Sequence, residues 1–190
     1  MKKTIAMLLT LAMTIGLLSG CAGVPVAIES PKNETVKEEV AEAGSLKTGL
    51  SVVSSLSVAD ATAEADGNAT TDISIIAVTV NDSGVIESCA IDAVQGKVSF
   101  GTDGQLTSEP GEVLSKNELG EAYGMKAFSP IGKEWNEQVA AFAQYVTGKT
   151  AKEVAGIALS ETTAPAEADL ASSVTIAIGD LMALVEKSAK

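Results

Sequence analysis

The sequence predicts a single α+β domain in which antiparallel strands come first and helices follow. Alternating apolar residues and β-branched runs occupy the first half of the chain, and apolar residues recur at helical spacing in the second half. A run of strands followed by a run of helices is typical of α+β proteins. The length of 190 residues is that of one domain.

Three main strands are predicted between residues 50 and 93. In the first, apolar residues alternate with others, as expected of a half-buried strand: Leu50, Val52, Leu56 and Val58. Residues 73–80 form a β-branched run, and a turn over residues 81–84 leads to a third strand over residues 85–93. A further short strand is predicted around Val98 and Phe100. Cys89 lies in the third strand, where we expect a small core residue.

The helices are predicted from apolar stripes. The first, from about Lys133 to Thr147, has its stripe at Trp135, Val139, Phe142 and Val146. A short helix is predicted over residues 152–159. The last stripe comprises Val174, Ile178, Leu181, Met182 and Val185.

The N-terminus predicts an export signal and a lipid anchor. Lys2 and Lys3 precede an apolar run over residues 5–18 that is shorter than the roughly 20 residues of a membrane span. Residues 18–21, Leu-Ser-Gly-Cys, resemble the lipobox of bacterial lipoproteins. This resemblance implies a signal peptide over residues 1–20 and acylation of Cys21. The alternative is an ordinary secretory signal that a cysteine happens to follow.

The resulting layout places a lipidated flexible tether over residues 21–46 and the domain over residues 47–190. The expected location is the extracytoplasmic face of the cell membrane, where several acyl chains on Cys21 hold the protein. Removal of Lys2 and Lys3 leaves 11 basic and 25 acidic residues, so the formal net charge changes from −12 to −14.

The absence of histidine and arginine excludes several classes of site. It removes Ser-His-Asp and Cys-His catalysis, histidine metal sites and bidentate arginine clamps on phosphate. An acidic chain without a basic stripe is also unlike a nucleic-acid-binding protein, because phosphate contacts dominate that affinity. Hydrolase and nucleic-acid functions are therefore not expected.

One segment offers hydroxyl groups close to a predicted helix start. Residues 169–175 read Asp-Leu-Ala-Ser-Ser-Val-Thr and precede the last apolar stripe. Free backbone N–H groups at a helix start favour an anion even without arginine. The alternative is that Asp169 or Ser172 simply caps the helix.

The same segment resembles the flavinylation motif of the FMN-binding domain family, commonly Asp-x-x-(Ser/Thr)-Gly-Ala-Thr. The family includes flavinylated subunits of the Rnf complex and of the sodium-pumping NADH:quinone oxidoreductase, and extracellular flavin lipoproteins. There, a flavin transferase attaches FMN to the final threonine through a phosphoester. The resemblance implies Thr175 as acceptor, with Asp169 and Ser172 at matching positions. Ser173 and Val174 replace the usual glycine and alanine.

The resemblance extends to residues 79–86 and to a segment between Lys116 and Trp135, and it implies an FMN-binding-domain-like fold. Tyr123, Met125 and Trp135 would then line a flavin or, alternatively, pack in the core. Two functions stay open. One is an electron-transfer flavoprotein with a membrane redox partner. The other is a non-catalytic lipoprotein of similar fold that binds a small ligand or a partner protein.

Overall fold

The computed structural model describes residues 44–109 and 111–190, which belong to one compact unit. Their sheet has three antiparallel strands in the order β1 (Lys47–Ala59), β2 (Gly67–Val80) and β3 (Ile86–Phe100). Helices follow the strands along the chain, so the α+β class is confirmed. The predicted signal peptide, Cys21 and the tether up to residue 43 lie outside the described residues.

The predicted hairpin joins β2 and β3. Asn81 Oδ1 accepts hydrogen bonds from the backbone N–H groups of Ser83 at 2.9 Å and Val85 at 3.1 Å. Gly84 has a φ of 74°, which glycine adopts without strain. The prediction of a separate short strand around Val98 is wrong, because Gly96 pairs with Thr71 and the ladder continues without a break to Phe100.

In the described part of the chain five α-helices follow: α1 (Lys116–Leu119), α2 (Trp135–Val146), α3 (Ala151–Ala155), α4 (Ala168–Ala171) and α5 (Gly179–Ser188). Two 3-10 turns, Gly120–Tyr123 and Met125–Ala127, lie between α1 and α2. The stripe from Trp135 to Val146 is confirmed as α2. Within the described residues, no helix combines the length and the apolar character that crossing a membrane requires.

Two helices differ from their predicted bounds. The helix predicted over residues 152–159 ends at Ala155, and Gly156 caps it. The last helix begins at Gly179, although its apolar stripe starts at Val174. Val174 and Ile178 are fully buried outside the helix, so apolar spacing there reflects core packing of a loop.

The core lies between one face of the sheet and helices α2 and α5. Its fully buried side chains come from the strands, from both helices and from the loop before α5, and they include Ile76, Val78, Ile86, Val139, Phe142, Val146, Val174, Ile178 and Val185. Fully burying one such side chain stabilises the fold by about 1.5–3 kcal/mol. Cys89 is half-buried against this core.

Strand β1 buries the face opposite to the one predicted. Gly49 and Ser51 pair with Val78 and Ile76, and this face is the one the helices cover, so Ser51 is buried. The four alternating apolar residues lie on the open face and are 48–71% exposed: Leu50, Val52, Leu56 and Val58. A period of two shows which side chains share a face, but the position of the helices decides which face is covered.

Candidate functional site

The 169–175 segment does not form the start of helix α5. Asp169 lies within α4, Ser172 ends that helix, and Thr175 lies in the connection that leads to Gly179. Ser172 Oγ donates a hydrogen bond to the carbonyl oxygen of Asp169 at 2.7 Å. Ile178 precedes α5 without a side-chain capping bond. The prediction that Asp169 or Ser172 caps the last helix is therefore wrong, and the hydroxyl groups of the segment do not lie at the first turn of that helix.

Thr175 instead contacts a buried glutamine of α2. Gln138 Oε1 accepts hydrogen bonds from the backbone N–H of Thr175 at 2.8 Å and from its Oγ1 at 3.2 Å. Gln138 is fully buried, and its Nε2 donates to Ser129 Oγ and to the carbonyl oxygen of Lys133, both at 3.2 Å. The amide therefore joins the Thr175 loop to the loop before α2.

Sequence reasoning missed Gln138 because an uncharged side chain on a helix gives no motif. A signal was present, however. Position 138 follows Trp135 by three residues and precedes Phe142 by four, so it lies on the apolar stripe of α2. A polar residue within an apolar stripe has to find partners in the core.

A second buried polar group shapes the same end of α2. Glu134 is buried, and its carboxylate accepts hydrogen bonds from the backbone N–H groups of Met125 at 2.8 Å and Lys126 at 3.0 Å. Its own N–H donates to Glu137 Oε2 at 2.8 Å. These bonds fix the 3-10 turn at Met125 against the start of α2. Together with the bonds of Gln138, these contacts bring the Thr175 loop and the loop before α2 together at the start of this helix. Both loops belong to the segments that resemble the family.

The three large residues considered for flavin contact take part in the core. Trp135 is buried, and Tyr123 and Met125 are half-buried against the same cluster. Lys116 Nζ lies 4.9 Å from the ring centroid of Tyr123 and 5.2 Å from that of Trp135. Such cation–π contacts stabilise the packed arrangement by roughly 0.5–1 kcal/mol each at exposed sites.

A small cavity of about 280 Å³ lies between α2 and α4. It is lined by Ala141, Gln144, Tyr145, Asp169, Leu170 and Ser173. Pockets for drug-sized ligands have volumes of roughly 300–1,000 Å³. A ring system as large as a flavin would therefore stay largely outside this cavity.

A polar network borders the cavity. Tyr145 Oη donates a hydrogen bond to Glu167 Oε2 at 2.6 Å, and Lys149 Nζ lies 4.3 Å from the Tyr145 ring centroid. The hydrogen bond from Tyr145 lowers the pKa of Glu167, and the same bond raises the pKa of Tyr145. Lys149 is thus a cation close to the rim.

A phosphoester on Thr175 fits the hydrogen bonds at this position. Esterification removes the hydrogen that Thr175 Oγ1 donates, but the Thr175 backbone N–H would still satisfy Gln138 Oε1. The hydroxyl of Ser172 bonds to the carbonyl oxygen of Asp169, and Asp169 lines the cavity between α2 and α4. Neither arrangement involves Thr175. The backbone bond of Thr175 is therefore compatible with a phosphoester, whereas neither Asp169 nor Ser172 forms a side-chain hydrogen bond with Thr175 among the described residues.

The two departures from the family motif lie in different surroundings. Val174 is fully buried, so its added bulk fills the core and not the surface that a transferase would approach. Ser173 is half-buried and lines the cavity. Of the two, only Ser173 changes the accessible side of the segment.

A larger cleft of about 680 Å³ lies on the open face of the sheet. Its lining is mostly apolar and includes Leu56, Ala69, Val98, Val113 and Leu114, with Lys97, Glu109 and Glu112 among the charged side chains. It shares no residue with the 169–175 segment. The fold thus separates the Thr175 site from this apolar cleft.

Comparison with known proteins finds a short match to a curated protein. No protein-family model matches the chain, and no solved structure matches it significantly. Chlorophenol reductase of Desulfitobacterium hafniense is 52% identical to the chain over 40 residues. That match covers 21% of this chain and 12% of the reductase, so the chain spans only a small part of that relative.

Proposed function

We propose that the chain is a lipid-anchored extracytoplasmic flavoprotein that carries FMN, esterified to Thr175, and transfers electrons at the outer face of the membrane. The observation that carries the proposal is the fixed Thr175 hydroxyl, which a fully buried amide holds in a segment that resembles the flavinylation motif. The similarity to chlorophenol reductase is compatible with redox chemistry, but the matched segment of 40 residues is too short to support the binding of a cofactor.

Bound FMN would supply the electron transfer, and the protein would position it. Thr175 would be the attachment point, and Gln138 would hold its backbone after attachment. Asp169 lines the neighbouring cavity with Tyr145. Lys149 is a cation close to the rim of that cavity, over the ring of Tyr145.

The direct test is covalent flavin on the chain. The full-length protein is expressed together with a flavin transferase, and a denaturing gel is viewed under ultraviolet light. We expect a fluorescent band for the wild type and none for Thr175→Ala. Ser173→Ala is the matched control, since it removes a hydroxyl from the same segment at a position where the family motif has glycine.

Intact mass decides the outcome. The expected mass is that of the chain plus one esterified FMN, and it returns to the bare chain in Thr175→Ala. A dark wild-type band with the mass of the bare chain would reject covalent flavin. A flavin spectrum of the native protein would then have to be sought separately to detect non-covalent FMN.

The anchor is tested independently of the flavin. With Cys21 acylated, the protein should sediment with membranes, partition into detergent and incorporate a labelled fatty acid, and Cys21→Ser should lose the label. A wild-type chain without fatty acid, or a label that Cys21→Ser retains, would contradict the lipid anchor without bearing on FMN.

The second candidate is a non-catalytic lipoprotein that binds an apolar ligand or a partner protein. The cleft of about 680 Å³ on the open face favours it, because this apolar concavity is remote in the fold from Thr175. Binding of an apolar fluorescent dye that is lost in Val98→Lys but kept in Thr175→Ala would support this function. Equal dye binding by both variants would argue against the cleft.

A further inference from the structure

Strand β1 is an exposed sheet edge that lacks the usual protection. It pairs with β2 on one side only, and no bridge to its other side exists within the described residues. The opposite edge is different, because Ser115 and Leu106 bridge to β3. An unpaired edge strand presents a row of free N–H and C=O groups, which is a template for another strand.

Apart from Lys47 at its first position, the sequence of β1 has no feature that blocks such pairing. From Thr48 to Ala59 there is no charged residue and no proline, and the pairing with β2 has no bulge. Natural edge strands usually carry lysine, proline or a bulge to prevent association. The formal charge of −12 opposes association of two copies, but none of that charge lies on these residues.

We propose that two copies of this chain pair through their β1 edges, antiparallel, with Ser54 opposite Ser54 of the second copy on a two-fold axis. A two-fold axis perpendicular to the sheet keeps the open face of both copies on the same side. The result is a six-stranded sheet with all helices on one face.

The register follows from the residue pattern. In the register centred on Ser54, Leu50 faces Val58 and Val52 faces Leu56, so the apolar side chains of the open face meet across the axis. On the other face, Ser51 meets Ser57. Cross-strand apolar pairs contribute roughly 0.2–1 kcal/mol each relative to alanine pairs.

Neighbouring registers are less favourable. Centring on Ser55 places Leu50 opposite Asp60, and centring on Val53 places Val52 opposite Ser54. The register on Ser54 also brings Lys47, at the start of the strand, close to the partner's Asp60 just beyond its end. Burying apolar residues on both copies and pairing these opposite charges both favour a second copy as the occupant of this edge.

The test introduces one cysteine at a time into the full-length protein in membranes. In this register two Cα atoms at position 54 lie about 4.5–5.5 Å apart, within the range of a disulfide. Atoms at position 55 lie roughly 8 Å apart, beyond that range. Under a mild oxidant, Ser54→Cys should give a disulfide-linked dimer on a non-reducing gel, and Ser55→Cys should not. The wild type reports any background from Cys89.

Both positions are exposed, so both variants should fold, and circular dichroism of the solubilised protein verifies it. Absence of a linked dimer from folded Ser54→Cys overturns the proposal, and so do equal yields from the two variants. Val52→Lys in the Ser54→Cys chain should abolish cross-linking, because it places a charge against the partner's Leu56.

Val98→Lys separates edge pairing from packing of the two open faces. Val98 is an exposed apolar residue of the same face, but it lies on β3, away from the edge. Edge pairing predicts unchanged cross-linking in Val98→Lys combined with Ser54→Cys. Loss of cross-linking there would overturn edge pairing in favour of face-to-face packing. None of these outcomes depends on flavin.

Discussion

Gln138 Oε1 accepts two hydrogen bonds from Thr175, one from the backbone N–H at 2.8 Å and one from the hydroxyl at 3.2 Å. The two residues lie 37 positions apart in the chain, and Gln138 is fully buried. Gln138 is uncharged, so it adds no ionic repulsion against a phosphate on Thr175. Esterification would break the bond from the hydroxyl, and the bond from the backbone N–H would still fix the candidate acceptor.

Gln138→Leu should destabilise the protein, because it leaves the Thr175 N–H without its partner in the core. We expect the free energy of unfolding to fall by about 1–3 kcal/mol, the cost of a buried unsatisfied group. Urea denaturation measures it. Gln144→Leu is the control, since Gln144 is an exposed residue of the same helix. Equal effects of the two substitutions would show that Gln138 makes no special contribution.

Gly49→Ala should also destabilise the fold. A Cβ atom at position 49 would overlap the carbonyl oxygen of Ser188, at the end of α5. Backbone atoms cannot move aside like a flexible side chain, so we expect a loss of about 1–3 kcal/mol. Gly111→Ala is the matched control, because no atom lies within 4 Å of its added Cβ. A thermal or urea unfolding curve that is unchanged in Gly49→Ala would contradict the close packing of α5 on β1.

The Tyr145–Glu167 hydrogen bond should make stability depend on pH. It lowers the pKa of Glu167 below the value of 4.5 for an isolated glutamate. A group with a lowered pKa in the folded state stabilises the protein above its ordinary pKa, and the stabilisation is lost as the pH falls through the folded pKa. The difference in Tm between wild type and Tyr145→Phe should therefore be largest near neutral pH and vanish in acid.

Tyr123→Phe serves as the control for this series. Tyr123 is half-buried against the core, and a lysine lies over its ring, so removal of its hydroxyl should give a difference in Tm that does not change between neutral and acid pH. A Tyr145→Phe difference that stays constant over the same range would refute the proposed coupling.

Cys89 should react slowly with thiol reagents in the native protein. Burial raises the pKa of its thiol from 9.0 to about 11. This rise in pKa lowers the thiolate fraction at mildly alkaline pH by about a hundredfold, and the thiolate is the reactive form. The rate of reaction with a chromogenic disulfide should therefore rise strongly on addition of urea. Cys89→Ala identifies the signal, and a fast native reaction at this residue would contradict its burial.

Local patterns were sufficient to predict the fold class and several elements. The turn over residues 81–84 has its own hydrogen bonds within the loop, and the stripe of α2 requires only that one helix face is covered. Such features depend on residues close in sequence, so they could be predicted without knowing the rest of the fold. The hairpin and α2 accordingly appear where the sequence predicts them.

Tertiary packing decided what local patterns could not. The alternation in β1 correctly indicates a strand. However, α5 covers the face that carries Gly49 and Ser51, so Leu50 and the other apolar side chains of the opposite face are exposed. Likewise, Val174 and Ile178 have helical spacing yet are buried in a loop. In each case burial depends on an element distant in the chain.

For the candidate site, the sequence by itself determined two things. The chain has no arginine and no histidine, and Thr175 ends a segment that resembles the flavinylation motif. Only the tertiary structure decided what Thr175 contacts. Asp169 and Ser172 are its neighbours in sequence, but the turn of α4 directs them elsewhere, and Gln138 takes their place. The physical reason is that a hydrogen bond between two segments forms where packing brings them together, and sequence spacing does not record that distance.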